Sequence, residues 1–382
     1  MKKSIAILGA FEPKGKEVEY IKEQIEKKGH KTIVIDSSRT LDEAEKIVND
    51  LSSSEKLDGI ISLGGPRGTE IGIKTMKNLP VGLPKLMVTT VRDACYVGTS
   101  DITMMPISEE TPSLKAELKR ILSNAAGAIV GMVEAEAPKL VKPLPLIGIT
   151  AMGVTTPAAM KIISLLNKKG YDTIAFHTRT EMLSKLIEEG RVNGVIDLTP
   201  YEVLIPYVYP MPEEMLGTKN RLEVAGRMGL PQVTAPGGLD MLIFVGTKES
   251  VPEEFQNRPL HAHGPNMALV RTTKEEVRAA GKILVERANR ATGPVAIVIP
   301  LRGFSADDEE GKHFYDPIAD RAFAEAIKEN AQEKVHVVEV DAHINDDKFA
   351  EEVVNIFDEM YASSKMKTKE GDVIWQKNFP GK

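Results

Sequence analysis

With 382 residues, the chain is long enough, at roughly 100 to 200 residues per domain, for about two domains with ordinary cores, which excludes a peptide or a small stapled scaffold. Hydrophobic residues make up 42% and charged residues 27%, and Lys+Arg 49 against Asp+Glu 55 leaves a formal net charge of -6; a disordered or collagenous chain, and a nucleic-acid binder held by bulk positive charge, are excluded. The single cysteine, Cys95, excludes an intrachain disulfide and a cysteine-only zinc site, and the cytoplasm is the expected compartment.

In chain order, Ile5 to Leu8 is an apolar strand, and the run Ile5 to Ala10 meets Glu12 and Lys14 too soon to be a signal-peptide core. Gly9 to Gly15 reads as a turn-rich connection, Val18, Ile21 and Ile25 recur at helical spacing before Gly29, and Thr32 to Ile35 is a β-branched strand. A helix with Leu41, Ala44, Ile47, Val48 and Leu51 on one face leads to Gly59 to Leu63, apolar enough to be buried on both faces. Such alternation predicts a parallel α/β sheet. No segment approaches the ~18 apolar residues of a membrane span, so no membrane partner is expected.

The plan then repeats. Leu146-Ile147-Gly148-Ile149 parallels Ile5-Ala6-Ile7-Leu8, Lys168-Lys169-Gly170-Tyr171 parallels Lys27-Lys28-Gly29-His30, and Asn193-Gly194-Val195-Ile196 parallels Asp58-Gly59-Ile60-Ile61. Pro138, Pro143 and Pro145 interrupt the chain between the copies, which predicts domains over 1–137 and 144–360 with a tail over 361–382. The second domain continues through strands at Pro231 to Thr234, Met241 to Phe244, Val295 to Ile299 and Val335 to Val340, with helices at Lys274 to Asn289 and Asp320 to Glu329, so its sheet should be the larger. The tail is charged from Ser363 onward, and Trp375 with Phe379 suits an arm docked on a neighbouring surface.

A phosphate site is expected in the first domain. Leu63-Gly64-Gly65-Pro66-Arg67-Gly68-Thr69-Glu70 joins a buried strand to the helix pattern Ile71 to Met76, where backbone N–H groups and a helix N-terminus can hold an anion. Thr69 is a candidate cap or phosphate contact and Arg67 a charge-assisted one; a purely structural glycine turn is the competing account, since neither standard glycine-rich fingerprint is present. Gly9-Ala10-Phe11-Glu12-Pro13-Lys14-Gly15 and Asp36-Ser37-Ser38 end neighbouring strands, which nominates Phe11, Lys14, Gly15 and Ser37. The hydroxyl-rich run holding Thr99, Ser100 and Asp101 completes the nucleotide-binding set Gly64, Gly65, Arg67, Gly68, Thr69, with Glu12 or Asp101 available to a divalent ion.

In the second domain His177, Asp197, Thr199, Asp341 and His343 fall at strand ends, and Asp240 and His263 in glycine- and proline-rich loops. Convergence would make an acid/base or metal site from His177, Asp240, His263, Asp341 and His343. His261 and His263 are two apart, a spacing at which both reach one ion only if the backbone bends. Arg302 after a buried strand is placed to orient a carboxylate or phosphate, and no Gly-x-Ser-x-Gly signature occurs.

Gly98-Thr99-Ser100-Asp101-Ile102-Thr103-Met104-Met105, Ala291-Thr292-Gly293-Pro294-Val295, Pro300-Leu301-Arg302-Gly303 and Val340-Asp341-Ala342-His343-Ile344-Asn345-Asp346 together resemble a bacterial family that shares the ATP-binding N-terminal domain of the tomato mosaic virus resistance protein. The resemblance covers about 1–360. It implies two Rossmann-like domains, each with a mainly parallel sheet flanked by helices, ATP with Mg²⁺ in the first, and a homodimer. Pro66 and Arg67 depart from the family's usual Gly-Gly-Ser-Gly-Gly-Thr, and Thr178-Arg179-Thr180 replaces a second glycine segment.

Three functions follow as expectations. The first is binding of ATP or a related nucleotide in the N-terminal domain beside a polar interdomain cleft. The second is a small-molecule enzyme of hydrolase, lyase or isomerase type acting on a polar metabolite such as a sugar acid. The third is a nucleotide-dependent regulatory or scaffolding module. No nucleic-acid partner is expected.

Overall fold

Largely apolar strands alternate with amphipathic helices along most of the chain, as the periodicity requires. The computed structural model describes residues 2–36, 41–91, 100–107, 116–136, 144–177, 181–204 and 221–370, without the side chains of 11–13, 41 and 366–370. The chain divides into two units, Met1–Val141 and Lys142–Lys382.

In the first unit β1 (Ser4–Gly9), α1 (Phe11–Lys27), β2 (Lys31–Asp36), α2 (Leu41–Ser53), β3 (Gly59–Gly64), α3 (Pro66–Lys77), β4 (Lys85–Thr89), β5 (Thr103–Pro106) and α4 (Ala116–Glu134) follow in order. The strands form one parallel sheet in the order β2-β1-β3-β4-β5. Strand alternation sends Ile5 and Ile7 to one face, where Val18, Ile21 and Ile25 of α1 and Leu122 and Ile129 of α4 cover them. Ala6 and Leu8 face the other side, against Ala44 and Val48 of α2 and Ile71, Ile73 and Met76 of α3.

Two connections are shorter than the sequence suggests. Helix α1 begins at Phe11, so most of the expected turn Gly9 to Gly15 is helix, and α3 begins at Pro66, inside the glycine segment. Pro13 and Pro66 sit in first turns, where the missing N–H had no intrahelical partner to lose.

The second unit holds β6 (Leu146–Ala151), α5 (Thr156–Lys168), β7 (Asp172–His177), α6 (Glu181–Glu188), β8 (Gly194–Asp197), α7 (Glu223–Arg227), β9 (Gln232–Thr234), β10 (Met241–Val245), β11 (Leu260–Ala262), β12 (Met267–Arg271), α8 (Lys274–Arg290), β13 (Val295–Pro300), α9 (Pro317–Asn330), β14 (Val335–Val340) and α10 (Asp347–Glu370). Its parallel sheet runs β14-β13-β9-β8-β6-β7. Helices α5 and α10 cover one face and α8 with α9 the other. Both units are therefore Rossmann-like α/β layers, and β2-β1-β3-β4 in the first matches β7-β6-β8-β9 in the second.

The repeat extends to packing. Gly59 and Gly194 open the third strand of each copy, and a Cβ there would lie 2.6 Å from Val133 Cγ1 and 2.4 Å from Phe357 Cζ respectively. Each glycine thus admits a side chain of its unit's last described helix.

Two expectations fail. Met241–Val245 does not extend the parallel sheet; it pairs antiparallel with β12, which also pairs with β11, in a separate sheet that the sequence reading missed. Leu242, Phe244 and Val270 bury against α8 there, and that burial holds the small sheet. The helix Asp347–Glu370 also runs through the start of the supposed tail, while Trp375 and Phe379 lie outside the described residues.

Candidate functional site

In the first unit the strand order reverses between β1 and β3, which pair in parallel with Gly9 opposite Leu63. The carboxyl edge at such a reversal is where open α/β sheets leave a crevice. Helix α1 starts two residues after Gly9 and α3 two residues after Gly64, from opposite faces of the sheet, and among the described residues neither N-terminus is capped by a side chain. Two sets of orphan N–H groups and two positive dipole ends therefore meet at one place.

The glycines have local reasons. A Cβ on Gly64 would lie 2.4 Å from the carbonyl carbon of Gly68 and 2.6 Å from Thr69 N, so only glycine lets the strand turn this tightly into the helix. Thr69 is buried, donates to Gly64 O at 3.3 Å and shares a hydrogen bond with the Thr89 hydroxyl, pinning the turn to β4. Arg67 is exposed and Gly68 half-buried at the edge, and Lys14 and Gly15 lie in the first turn and a half of α1. Asp36 ends β2 directly opposite Gly9.

Ser100 and Asp101 do not join this set. They precede β5, at the amino edge of the sheet, the far end of strands that are roughly 16 Å long at ~3.3 Å per residue. Asp101 there accepts from Lys85 Nζ and from Gly82 N, both at 2.7 Å, and neutralises a lysine that is itself fully buried. Phe11 opens α1; its side chain, Ser37 and Thr99 lie outside the described residues.

In the second unit the reversal falls between β6 and β8, and polar side chains at the same edge hold one another. Asp197 ends β8, is buried, and accepts from Thr150 Oγ1 at 2.6 Å and from Arg221, which also binds Glu202. Burial pushes the Glu202 carboxyl up to about 7, with Arg221 opposing. Thr199 and Thr155 share a hydrogen bond at 2.8 Å, and Asn345 Oδ1 accepts from Ala158 N in the first turn of α5.

Of the five residues expected to be catalytic, Asp240 and His343 meet at Ser305, while Asp341 and His177 have other surroundings. Ser305 Oγ donates to Asp240 Oδ2 at 2.6 Å, and His343 Nε2 donates to Ser305 O at 2.8 Å while its Nδ1 accepts from Asn345 N. Asp240 and His343 are thus buried fasteners of the loop after β13. That loop needs Gly303 at φ +118, because a Cβ there would be 1.6 Å from Asp308 O. Asp240 and Asp320 sit around Arg271 with Asp308; burial first, then the Asp308 charge, raises both carboxyls well above the usual range. Asp341 is exposed and bidentate with Arg302, at 2.8 and 2.9 Å, so the carboxylate that Arg302 orients is internal. His177 ends the edge strand β7, exposed.

His263 lies one residue past the end of β11, beside His261 and Asp307, and Asp307 N donates to the Ser305 hydroxyl that is bonded to Asp240. Burial lowers the His261 imidazole from its ordinary value, with the Asp307 charge opposing.

Residues 144–361 match the C-terminal domain, and 38–138 the N-terminal domain, of the uncharacterised protein family UPF0261. A UPF0261 protein of Clostridium tetani is 39% identical over 92% of this chain and 97% of its own length. The chain belongs to the UPF0261 family. The ToMV resistance protein Tm-1(GCR237) of Solanum lycopersicum is 32% identical over 86% of this chain, which spans 44% of that plant protein. Among solved structures, a diflavin flavoprotein A3 from Nostoc sp. aligns over 35% of this chain and 95% of its own, with a TM-score of 0.28 at 13% identity.

For this UPF0261 chain, sequence reasoning missed Arg221, Glu202, Ser305 and Asp307 as partners of the residues it nominated. Asp197 with Thr199 at a strand end was visible, but the cation that neutralises Asp197 comes from 24 residues further on, with no local signal. For His261 and His263 the signal was present: alternation along a strand puts residues two apart on one face without any bend.

Proposed function

We propose that the first unit is a nucleotide-binding module that holds ATP, or a related phosphate-bearing nucleotide, at the carboxyl edge of β1 and β3. The observation that carries the reading is the pair of helix N-termini, α1 and α3, that begin within two residues of adjacent strand ends without side-chain caps. An anion there gains hydrogen bonds and two dipole ends at once. Arg67 and Lys14 would supply positive charge from the starts of the two helices, and Asp36, at the end of the neighbouring strand, would accept from ribose hydroxyls. Pro66 removes one donor from α3, so Arg67 N and Gly68 N are the donors left in its first turn ahead of Thr69, whose N–H goes to Gly65 O. Mg²⁺ would accompany the phosphates, held mainly by phosphate and water oxygens, which suits an edge without the Asp101 carboxylate. The enzyme reading built on His177, Asp240, His263, Asp341 and His343 loses support, because Asp240, Asp341 and His343 are spent on protein partners.

The test is thermal unfolding of the full chain with and without Mg²⁺-ATP, repeated on Gly65→Asp. Gly65 is the N-cap of α3 in extended backbone, so an aspartate can cap the helix and occupy the anion position at once. Wild type should be stabilised by about 2.7 kcal/mol at a hundredfold excess over Kd. Gly65→Asp should keep or slightly raise its ligand-free midpoint and lose the ATP shift; an equal shift in both proteins, or none in wild type, overturns the reading. Sedimentation of the same samples tests the homodimer we propose alongside.

A further inference from the structure

We propose that His261, His263 and Asp307 of the second unit form a binding site for one divalent transition-metal ion of the zinc class. His261 lies on β11, the edge strand of the small antiparallel sheet, and His263 follows two residues on, so strand alternation turns both imidazoles to one side. Asp307 enters from the loop after β13, and one ligand atom from each of the three lies within 4.8 Å of the others. His261 Nε2 and Asp307 Oδ1 are 3.9 Å apart, too far for a hydrogen bond but within a few tenths of an ångström of the ~3.4 Å between donors around a tetrahedral zinc ion.

What separates this cluster from the other polar groups of the unit is that its donors are unspent. Asp240, Asp341 and His343 each hold a protein partner, whereas none of the His261, His263 and Asp307 side chains makes a hydrogen bond among the described residues, and His261 Nδ1 is buried without one. The groups are nevertheless held in place. The His261 ring stacks on His313 with centroids 5.7 Å apart and packs against Phe314 at 5.2 Å, while Asp307 N donates to Ser305 Oγ and Asp307 O accepts from Phe314 N. Fixed donors with no protein partner are what a pre-organised ligand set needs.

Two imidazoles and one carboxylate suit zinc and its neighbours, not Mg²⁺ or Ca²⁺, which take all-oxygen shells. His263 is exposed, so the fourth coordination position opens to solvent and can carry a water or an oxygen of a small polar molecule.

The test is titration of the chelator-stripped full chain with ZnCl₂ by calorimetry, with metal content measured after gel filtration. We expect one Zn²⁺ per chain, unaffected by excess Mg²⁺, with affinity reduced at least ~10-fold in His263→Ala and in Asp307→Asn. His263 is exposed and Asp307 half-exposed, so both variants should fold; unchanged unfolding midpoints without metal will confirm it. The visible absorption of four-coordinate Co²⁺ in wild type should be lost in Asp307→Asn. Substoichiometric uptake, or equal affinity in wild type and both variants, marks adventitious binding by surface histidines and overturns the proposal.

Discussion

The two units share strand order 2-1-3-4 around a β1/β3-type reversal, yet their carboxyl edges are chemically opposite. In the first, glycines end β1 and β3, and among the described residues the adjoining helix N-termini carry no side-chain caps. In the second, Asp197 and Glu202 pair with Arg221 at the edge, and Asn345 accepts from the first turn of α5. The comparison teaches that a sheet topology offers a crevice and the side chains at the strand ends decide whether protein or ligand fills it.

The largest effect should come from emptying the filled edge. Arg221→Met leaves two buried carboxylates without their cation and should cost about 3 to 5 kcal/mol in chemical denaturation. The loss should shrink as pH falls toward 7, because burial already raises Glu202 to about 7 against the opposing Arg221 charge, and without that charge the carboxyl takes its proton at higher pH still. Crowding the open edge comes next: Gly64→Ala drives a methyl into the Gly68 and Thr69 backbone and should cost about 1 to 3 kcal/mol while reducing the ATP-dependent thermal shift.

The Arg271 cluster sharpens the comparison through pH. Asp240 and Asp320 have folded-state pKa values raised above the unfolded 3.8, so the native state keeps protons that the unfolded chain releases above about pH 4. Their contribution is greatest at acid pH and is lost as pH rises through the raised values. Because Asp308 is the charge that raises both, Asp308→Asn should gain on wild type by about 1 to 2 kcal/mol between pH 4 and pH 8, measured as the difference in unfolding free energy. A difference that stays flat across that range would show the cluster is not the source.

Capping supplies a smaller contrast. Helix α8 is capped by Thr273, which accepts from Glu276 N in a reciprocal capping box, unlike α1 and α3. Thr273→Ala should cost about 1 kcal/mol and leave any nucleotide shift untouched, the reverse of Gly65→Asp. The smallest effect belongs to Asp341→Asn: its pair with Arg302 is solvent-exposed, so the unfolding midpoint should not move measurably.

The elements that periodicity announced are present: the strands at Ile5, Thr32, Gly59, Val295 and Val335, and helices such as Lys274–Arg290, were legible because each buries a face whose period its own residues set. The antiparallel sheet was not, since three- and five-residue strands between turns carry too little period to stand out. Of the proposed first-unit site, the glycines, Arg67 and Lys14 stand out in the sequence because they follow strand patterns. The partners of Thr69 and Asp101, Thr89 and Lys85, do not, because strand pairing sets them.

The amino-acid sequence by itself determined the α/β class, the repeated plan and the glycines at the strand ends, because backbone conformation and burial face are local properties of a few neighbouring residues. Only the tertiary structure decided which polar groups are spent. Asp240 meets Ser305 across 65 residues and Asp197 meets Arg221 across 24, while His261 meets Asp307 with no hydrogen bond at all. A hydrogen bond forms over about 3 Å of space, whatever the separation along the chain, so its partner is fixed only when distant segments pack.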